Sequence, residues 1–276
     1  MIIGISGKKQ SGKNTVALIW QYLYDYYNNN YKHPITVEDF KEYVKNNHHL
    51  KSVWIQKSFA HKIKQITCIL LGCTMEQLED PIFKETPLGE EWVKYELNFT
   101  SYNRLSYCNC ADYYKKYFCS KEEAVEYIEG NLEVDQDSIK ILKIELTPRI
   151  LMQMLGTEFG RDMVHPNLWV NALFSEYLPK KLSIGIDKYG VQTIIDKDPN
   201  WVITDVRFSN EVKAVKDRGG MLIRVDRDSD SKDSHVSENE LITYKDWNYV
   251  IDNNYSLLEL VLKVKQIMFK EGIIYE

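Results

Sequence analysis

Nine residues near the start of the chain, Gly7-Lys8-Lys9-Gln10-Ser11-Gly12-Lys13-Asn14-Thr15, carry the spacing G-x-x-x-x-G-K. That spacing has chemical meaning between a strand and a helix, and both flanks read that way. Ile2, Ile3 and Ile5 form a short apolar run, while Val16, Ile19, Trp20 and Leu23 recur at helical spacing after the loop. In such a setting two glycines let successive amides turn inward, the helix start adds partial positive charge, and Lys13 reaches the β and γ phosphates of a triphosphate. The competing reading is a chance Gly-Lys turn ahead of a helix. Asn14 stands where a Ser or Thr usually touches magnesium, and Thr15 supplies a hydroxyl one place later. The expected metal is Mg2+, held mainly by phosphates and waters, with Thr15 and a carboxylate close by.

Asp205 is the carboxylate expected there. It ends the apolar run Trp201-Val202-Ile203-Thr204, and strand ends in open parallel sheets converge on the phosphate-loop crevice. An Asp closing a strand is also an ordinary turn residue. Only seven of the 35 basic residues are Arg: Arg104, Arg149, Arg161, Arg207, Arg218, Arg224 and Arg227. Each is a candidate for the planar, two-pronged grip on phosphate that Lys lacks. Cys68, Cys73, Cys108, Cys110 and Cys119 show no secreted pattern. A zinc site on the last three lacks a fourth ligand and a nearby His, so all five read as reduced thiols and none as a metal ligand.

The elements that must position these residues follow from periodicity and caps. Asn28 to Asn30 end the first helix, and Thr36 with Asp39 starts a second through about Asn47. Ser52 to Phe59 alternates as a strand, and Ala60 to Leu71 reads as a helix ending at Gly72. Residues 87–146 form a looser, Tyr- and Asn-rich insertion with one helix begun by Ser120 and Glu123. Thr147 and Pro148 open a helix that stops at Gly156. Beyond it come a strand over Trp201 to Asp205, a helix over Ser209 to Arg218 and a strand over Met221 to Val225. Ser237 with Glu240 then caps a short helix, Tyr249 to Ile251 is a strand, and Ser256 with Glu259 caps a last helix through about Phe269. Strands alternating with helices, and no two-residue hairpin turns, predict an α/β fold: a three-layer α/β/α domain over 1–276 with a largely parallel central sheet and a partly helical insertion.

The chain has 276 residues, 44% of them apolar, enough for a core without disulfide or metal staples. A net charge of −5 argues against a protein that coats nucleic acid. No stretch reaches the ~18–20 apolar residues of a membrane span, and Met1 to Ser6 is too short for a secretory signal, so the expected location is cytoplasmic.

Several stretches together resemble the bacteriophage deoxynucleoside monophosphate kinases, relatives of the nucleoside monophosphate kinases and dephospho-coenzyme A kinases. They are GKKQSGKNT (Gly7 to Thr15), SFAHKIK (Ser58 to Lys64) and TPRILMQMLGTEFGRDMVHPNLW (Thr147 to Trp169). ITDVRFSNE (Ile203 to Glu211), GGMLIRVDR (Gly219 to Arg227), DSHVSE (Asp233 to Glu238) and YVIDNN (Tyr249 to Asn254) complete the set. Residues 28–50, 87–146 and 181–198 carry no such motif.

The resemblance implies transfer of the γ-phosphoryl of ATP to a deoxynucleoside monophosphate, with Mg2+, in the cytoplasm of a host cell if the chain is viral. It implies no nucleic-acid or membrane partner and is compatible with a homodimer. Lys13 would stabilise charge in the transition state, and Gly7, Lys8, Ser11, Gly12, Asn14 and Thr15 would line the donor phosphates. Arg161 and Arg207 would serve the acceptor phosphate or the reaction centre; the alternative for each is a structural ion pair, such as Arg161 with Asp162 or Glu158. Arg149 lies in the first turn of its helix, where positive charge is disfavoured, so a partner or ligand is expected. Arg224, Arg227 and Lys232 flank a polar loop at about 226–236 where relatives carry a lid over ATP; it also reads as a solvated connector. Phe59 and Trp169 would stack on the acceptor base or sit in the core, and Gln153 or Glu158 would read the base edge or sugar. Two rival functions remain: a kinase of another phosphorylated acceptor such as dephospho-coenzyme A, and a non-catalytic ATP-binding switch.

Overall fold

The structure is a computed structural model that describes residues 1–29, 33–99, 117–131, 139–186, 192–228 and 240–275. In chain order the elements are β1 (Ile2–Ser6), α1 (Lys13–Asn28), α2 (Val37–Lys45), β2 (Trp54–Lys57), α3 (His61–Leu71), α4 (Met75–Glu79), α5 (Pro81–Glu85), β3 (Val93–Phe99) and β4 (Tyr117–Phe118). They continue with α6 (Lys121–Asn131), β5 (Ile139–Glu145), α7 (Pro148–Met154), α8 (Leu168–Phe174), β6 (Lys180–Ile186), β7 (Gln192–Lys197) and β8 (Asn200–Ile203). Last come α9 (Ser209–Lys216), β9 (Met221–Asp226), β10 (Tyr249–Asp252) and α10 (Leu257–Lys270).

The chain divides into two compact units, Met1–Lys62 with Val164–Glu276, and Ile63–Met163. The first contains a five-stranded, wholly parallel sheet in the order β10-β9-β1-β8-β2. Its three inner strands, β9, β1 and β8, are largely buried on both sides, so alternate residues feed different cores. Ile3 and Ile5 of β1, Val202 of β8 and Met221, Ile223 and Val225 of β9 pack with α1, α2 and α10. Ile2, Trp201, Ile203 and Leu222 pack with α8 and α9. This is the expected three-layer arrangement, and the fully buried Ile and Leu side chains each contribute about 1.5–3 kcal/mol of apolar burial. Thr36, Thr147 and Ser256 cap their helices as the sequence predicts, each accepting from the amide three residues on.

Residues 87–146, read as a loose, partly helical insertion, lie within the second unit, Ile63–Met163. Besides α6 they hold a three-stranded antiparallel sheet, order β4-β3-β5. The signal was present: Val93, Tyr95, Leu97 and Phe99 alternate with polar residues, and Leu97, Ala124, Ile128 and Ile139 build a small core. The stretch 181–198, which suggested no motif, is largely occupied by the antiparallel pair β6-β7. Glu240, expected to pair with Ser237 at a helix start, begins a turn instead, and its carboxylate accepts from the Ser209 amide at 2.8 Å. Ser237 itself lies outside the described residues.

The helix begun at Pro148 does not stop at Gly156. It widens into a π-helix over Leu155–Val164. Gly156 is buried there, and a Cβ on it would lie 3.2 Å from Ile63 Cδ1, so its smallness serves packing rather than termination.

Candidate active site: the phosphate loop and its surroundings

β1 lies at the centre of the parallel sheet, and its C-terminal end meets both neighbours. Ser6 is in register with Arg224 of β9, and the Val206 amide beyond β8 donates to the Ile5 carbonyl at 3.1 Å. The loop that follows therefore emerges between Arg224 on one side and Asp205 on the other.

Its two glycines are required by what surrounds them. Gly7 has φ 154°, and a Cβ there would fall 2.3 Å from the Val225 carbonyl oxygen and 2.5 Å from Ser11 Oγ. Gly12 has φ 99°, and a Cβ would fall 2.4 Å from Asn253 Nδ2. Gln10 takes a left-handed φ of 62° between them. Lys13 Nζ donates to the carbonyls of Gly7 and Lys8, both at 2.5 Å, which folds its charge onto the loop. Asn253, after β10, braces the loop: its amide N donates to the Asp226 carbonyl and its side chain to the Ser11 carbonyl, both at 2.8 Å.

Asp205 organises the turn between β2 and α3. Oδ1 accepts from the Phe59 amide at 2.8 Å, while Oδ2 accepts from the Ser58 hydroxyl at 2.7 Å and the Ala60 amide at 2.9 Å. A carboxylate offers about four acceptor positions, so this one retains little capacity for a further ligand. Thr15 is half-buried and Asn14 exposed. Oxygen donors of this kind suit a hard cation such as Mg2+. Among the described residues no three His, Cys, Asp or Glu side chains group as metal ligands.

Arg207 is half-buried, and its backbone is held by Glu211, whose Oε2 accepts from the amides of Arg207 and Phe208 at 2.7 and 3.1 Å. Glu211 is itself 1% exposed. Arg224 donates through Nε to Asp226 at 2.8 Å, and Arg227 is exposed. Residues 229–239, which include Lys232, His235 and most of the expected lid, lie outside the described residues. Phe59 and Trp169, each given a base-stacking and a core reading, are both buried, and Phe59 sits edge-on to Phe174 within the α8–α9 core.

Arg149, Gln153, Glu158 and Arg161 belong to the second unit, on α7 and the π-helix that continues it. Arg149 has the partner its position calls for, an ion pair with Glu85 of α5. Gln153, Glu158 and Arg161 are half-buried. π-helical turns are rare and concentrate at functional sites, and this one carries Glu158 and Arg161.

Sequence reasoning missed Asn253 and Glu211 as determinants of the site. Both stood within recognised stretches, YVIDNN and TDVRFSNE, but their roles depend on contacts that no local pattern shows.

A parallel sheet whose central strand runs into a glycine-bent, lysine-containing loop and then a helix defines a P-loop kinase-like α/β protein. The family is more specific than that. The sequence model of the family described as Deoxynucleotide monophosphate kinase matches residues 1–264, and the chain belongs to this family. A chain of Acanthamoeba polyphaga mimivirus, provisionally named a deoxynucleotide monophosphate kinase, is 33% identical over 43% of this chain and 59% of its own length. The deoxynucleoside-5'-monophosphate kinase of Escherichia phage T5 is 25% identical over 79% of this chain and 72% of its own. The deoxynucleotide monophosphate kinase of Enterobacteria phage T4 is 29% identical over 53% of this chain and 55% of its own. The match thus spans less than two thirds of the mimivirus and T4 relatives.

Proposed function

We propose that this chain transfers the γ-phosphoryl group of ATP to the 5′-phosphate of a deoxynucleoside monophosphate, yielding ADP and the deoxynucleoside diphosphate. Membership of the family over residues 1–264 carries this reading. An oxygen of the acceptor phosphate attacks the γ phosphorus, and the bond to the β–γ bridging oxygen breaks. The acceptor is already an anion, so the protein's work is alignment and charge neutralisation.

Gly7, Lys8, Ser11, Gly12, Asn14 and Thr15 hold the donor phosphates through backbone amides and the start of α1. Lys13 leaves its loop carbonyls for the β and γ phosphates and stabilises the charge that spreads over the transferring group. Mg2+ would supply charge neutralisation at these phosphates; Thr15 is the residue that would hold it, with Asp205 placed to act through water. Arg224 and Arg227 contact the ATP side, whereas Arg207 and Arg161 receive the acceptor phosphate. Gln153 and Glu158 contact its base or sugar, and Arg149, Phe59 and Trp169 support that side from their ion pair and core positions. The relatives are viral, and such an activity would supply diphosphates for DNA synthesis in an infected cell.

A coupled assay with magnesium ATP, four deoxy and four ribo monophosphates and dephospho-coenzyme A tests the reading. Turnover of at least one deoxynucleotide, abolished in Lys13→Ala, is expected. Turnover of dephospho-coenzyme A alone would replace the acceptor. Binding of ATP without a second, monophosphate-binding event in calorimetry would leave only a switch. Arg207→Ala and Arg161→Ala are expected to weaken monophosphate binding while ATP affinity stays.

A further inference from the structure

Two cysteines meet where α3 ends. Gly72 takes a left-handed φ of 63°, and the Cys73 amide donates to the Cys68 carbonyl at 3.1 Å. That bond, from the second residue past a helix back to a carbonyl in its last turn, brings the two side chains into contact, and in most helix ends of this kind the contact is apolar. Here both positions carry thiols. With standard bond lengths, an N···O distance of 3.1 Å holds the two Cα atoms within about 7 Å. Disulfides span Cα separations of ~4.4–6.8 Å, so this bond brings the two residues close to bridging distance. A third sulfur completes the cluster, Met75 Sδ, 3.6 Å from Cys68 Sγ. Both thiols are partly accessible rather than sealed. Burial first, and the neighbouring Cys73 thiol second, push the Cys68 thiol above the ordinary range.

We propose that Cys68 and Cys73 form a reversible dithiol–disulfide pair in the cap of α3. The oxidant is a low-molecular-weight disulfide such as oxidised glutathione. The thiolate of one cysteine attacks it, forming a mixed disulfide and releasing one small thiolate. The second cysteine's thiolate then attacks the protein sulfur of that mixed disulfide and releases the other. The two protons lost by the protein thiols pass to the two released thiolates, so one disulfide is consumed and one is made. The bridge closes a small ring around Gly72 and ties Thr74, the residue that caps α4, to the end of α3.

The full-length protein is equilibrated in glutathione buffers from reducing to oxidising, acid-quenched, alkylated under denaturing conditions and digested with trypsin. Both cysteines fall in one peptide, Gln65 to Lys84. At the oxidising end this peptide is expected two hydrogens lighter than its reduced form and free of alkyl groups, and the change reverses with dithiothreitol. In Cys73→Ser, which removes the resolving partner, the same peptide should carry glutathione on Cys68 instead. Wild-type peptide that carries glutathione without the closed bridge would overturn the proposal. So would two alkylated cysteines under conditions that modify the exposed Cys119.

Discussion

The side-chain amide of Asn253 donates to the carbonyl of Ser11 at 2.8 Å, joining the end of β10 to the phosphate loop across 242 residues of sequence. The same amide group occupies the space a Cβ on Gly12 would need. Loop shape is thus set partly from outside the loop. Asn253→Ala leaves the buried Ser11 carbonyl without this donor, a loss of about 1–3 kcal/mol. If about half of that falls on the bound state, the Kd for ATP rises roughly two- to tenfold. Calorimetry on a variant with wild-type circular dichroism measures it.

Gly7→Ala tests the loop from inside. The added methyl would fall 2.3 Å from the Val225 carbonyl oxygen, a backbone atom that cannot swing aside. We expect ATP binding to fall below detection, because the loop must shift away from β9 to relieve the clash, while the rest of the parallel sheet persists. Fluorescent-nucleotide titration alongside thermal melting separates the two effects.

Asp205 is predicted to matter for stability as much as for catalysis. Asp205→Ala strands the Ser58 hydroxyl and the amides of Phe59 and Ala60, a loss of about 3 kcal/mol for hydrogen bonds to a charged group. Asp205→Asn keeps the shape and part of the bonding, so its urea midpoint should lie between those of wild type and the Ala variant. An unchanged Mg2+ requirement in Asp205→Asn would remove the residue from the metal role and leave it a structural one.

Glu176 gives the clearest pH signature. Its carboxylate accepts from Lys57 and Lys62, each at 2.7 Å, and these two ammonium groups draw its pKa down to about 2. A folded pKa below the unfolded one means the carboxylate stabilises the fold above the unfolded value of about 4.5. That contribution disappears as pH falls from there toward about 2. The side chain is 37% exposed, so solvent screening keeps the effect near that of a surface pair, about 1 kcal/mol. Glu176→Gln should flatten this part of the stability profile, as read from urea unfolding at successive pH values.

The strand, glycine-bent loop and helix around Gly7 to Thr15 were legible in the sequence, because they lie close to one another along the chain. Helix starts at Thr36, Thr147 and Ser256 were legible for the same reason: each cap closes over three residues. The alternation of strands with helices along the chain also announced a largely parallel sheet.

The order of those strands, the bracing of Ser11 by Asn253 and the hold of Asp205 on Ser58 to Ala60 appeared only in three dimensions. So did the π-helix through Glu158 and Arg161, where Gly156, which looks like a stop signal, proves to be a packing residue. The division has a physical cause. Hydrogen bonds within a turn and the period of an apolar face are determined by neighbours in the chain. Contacts between residues far apart in sequence depend on which elements pack together, and that is settled by the competition of whole faces for burial.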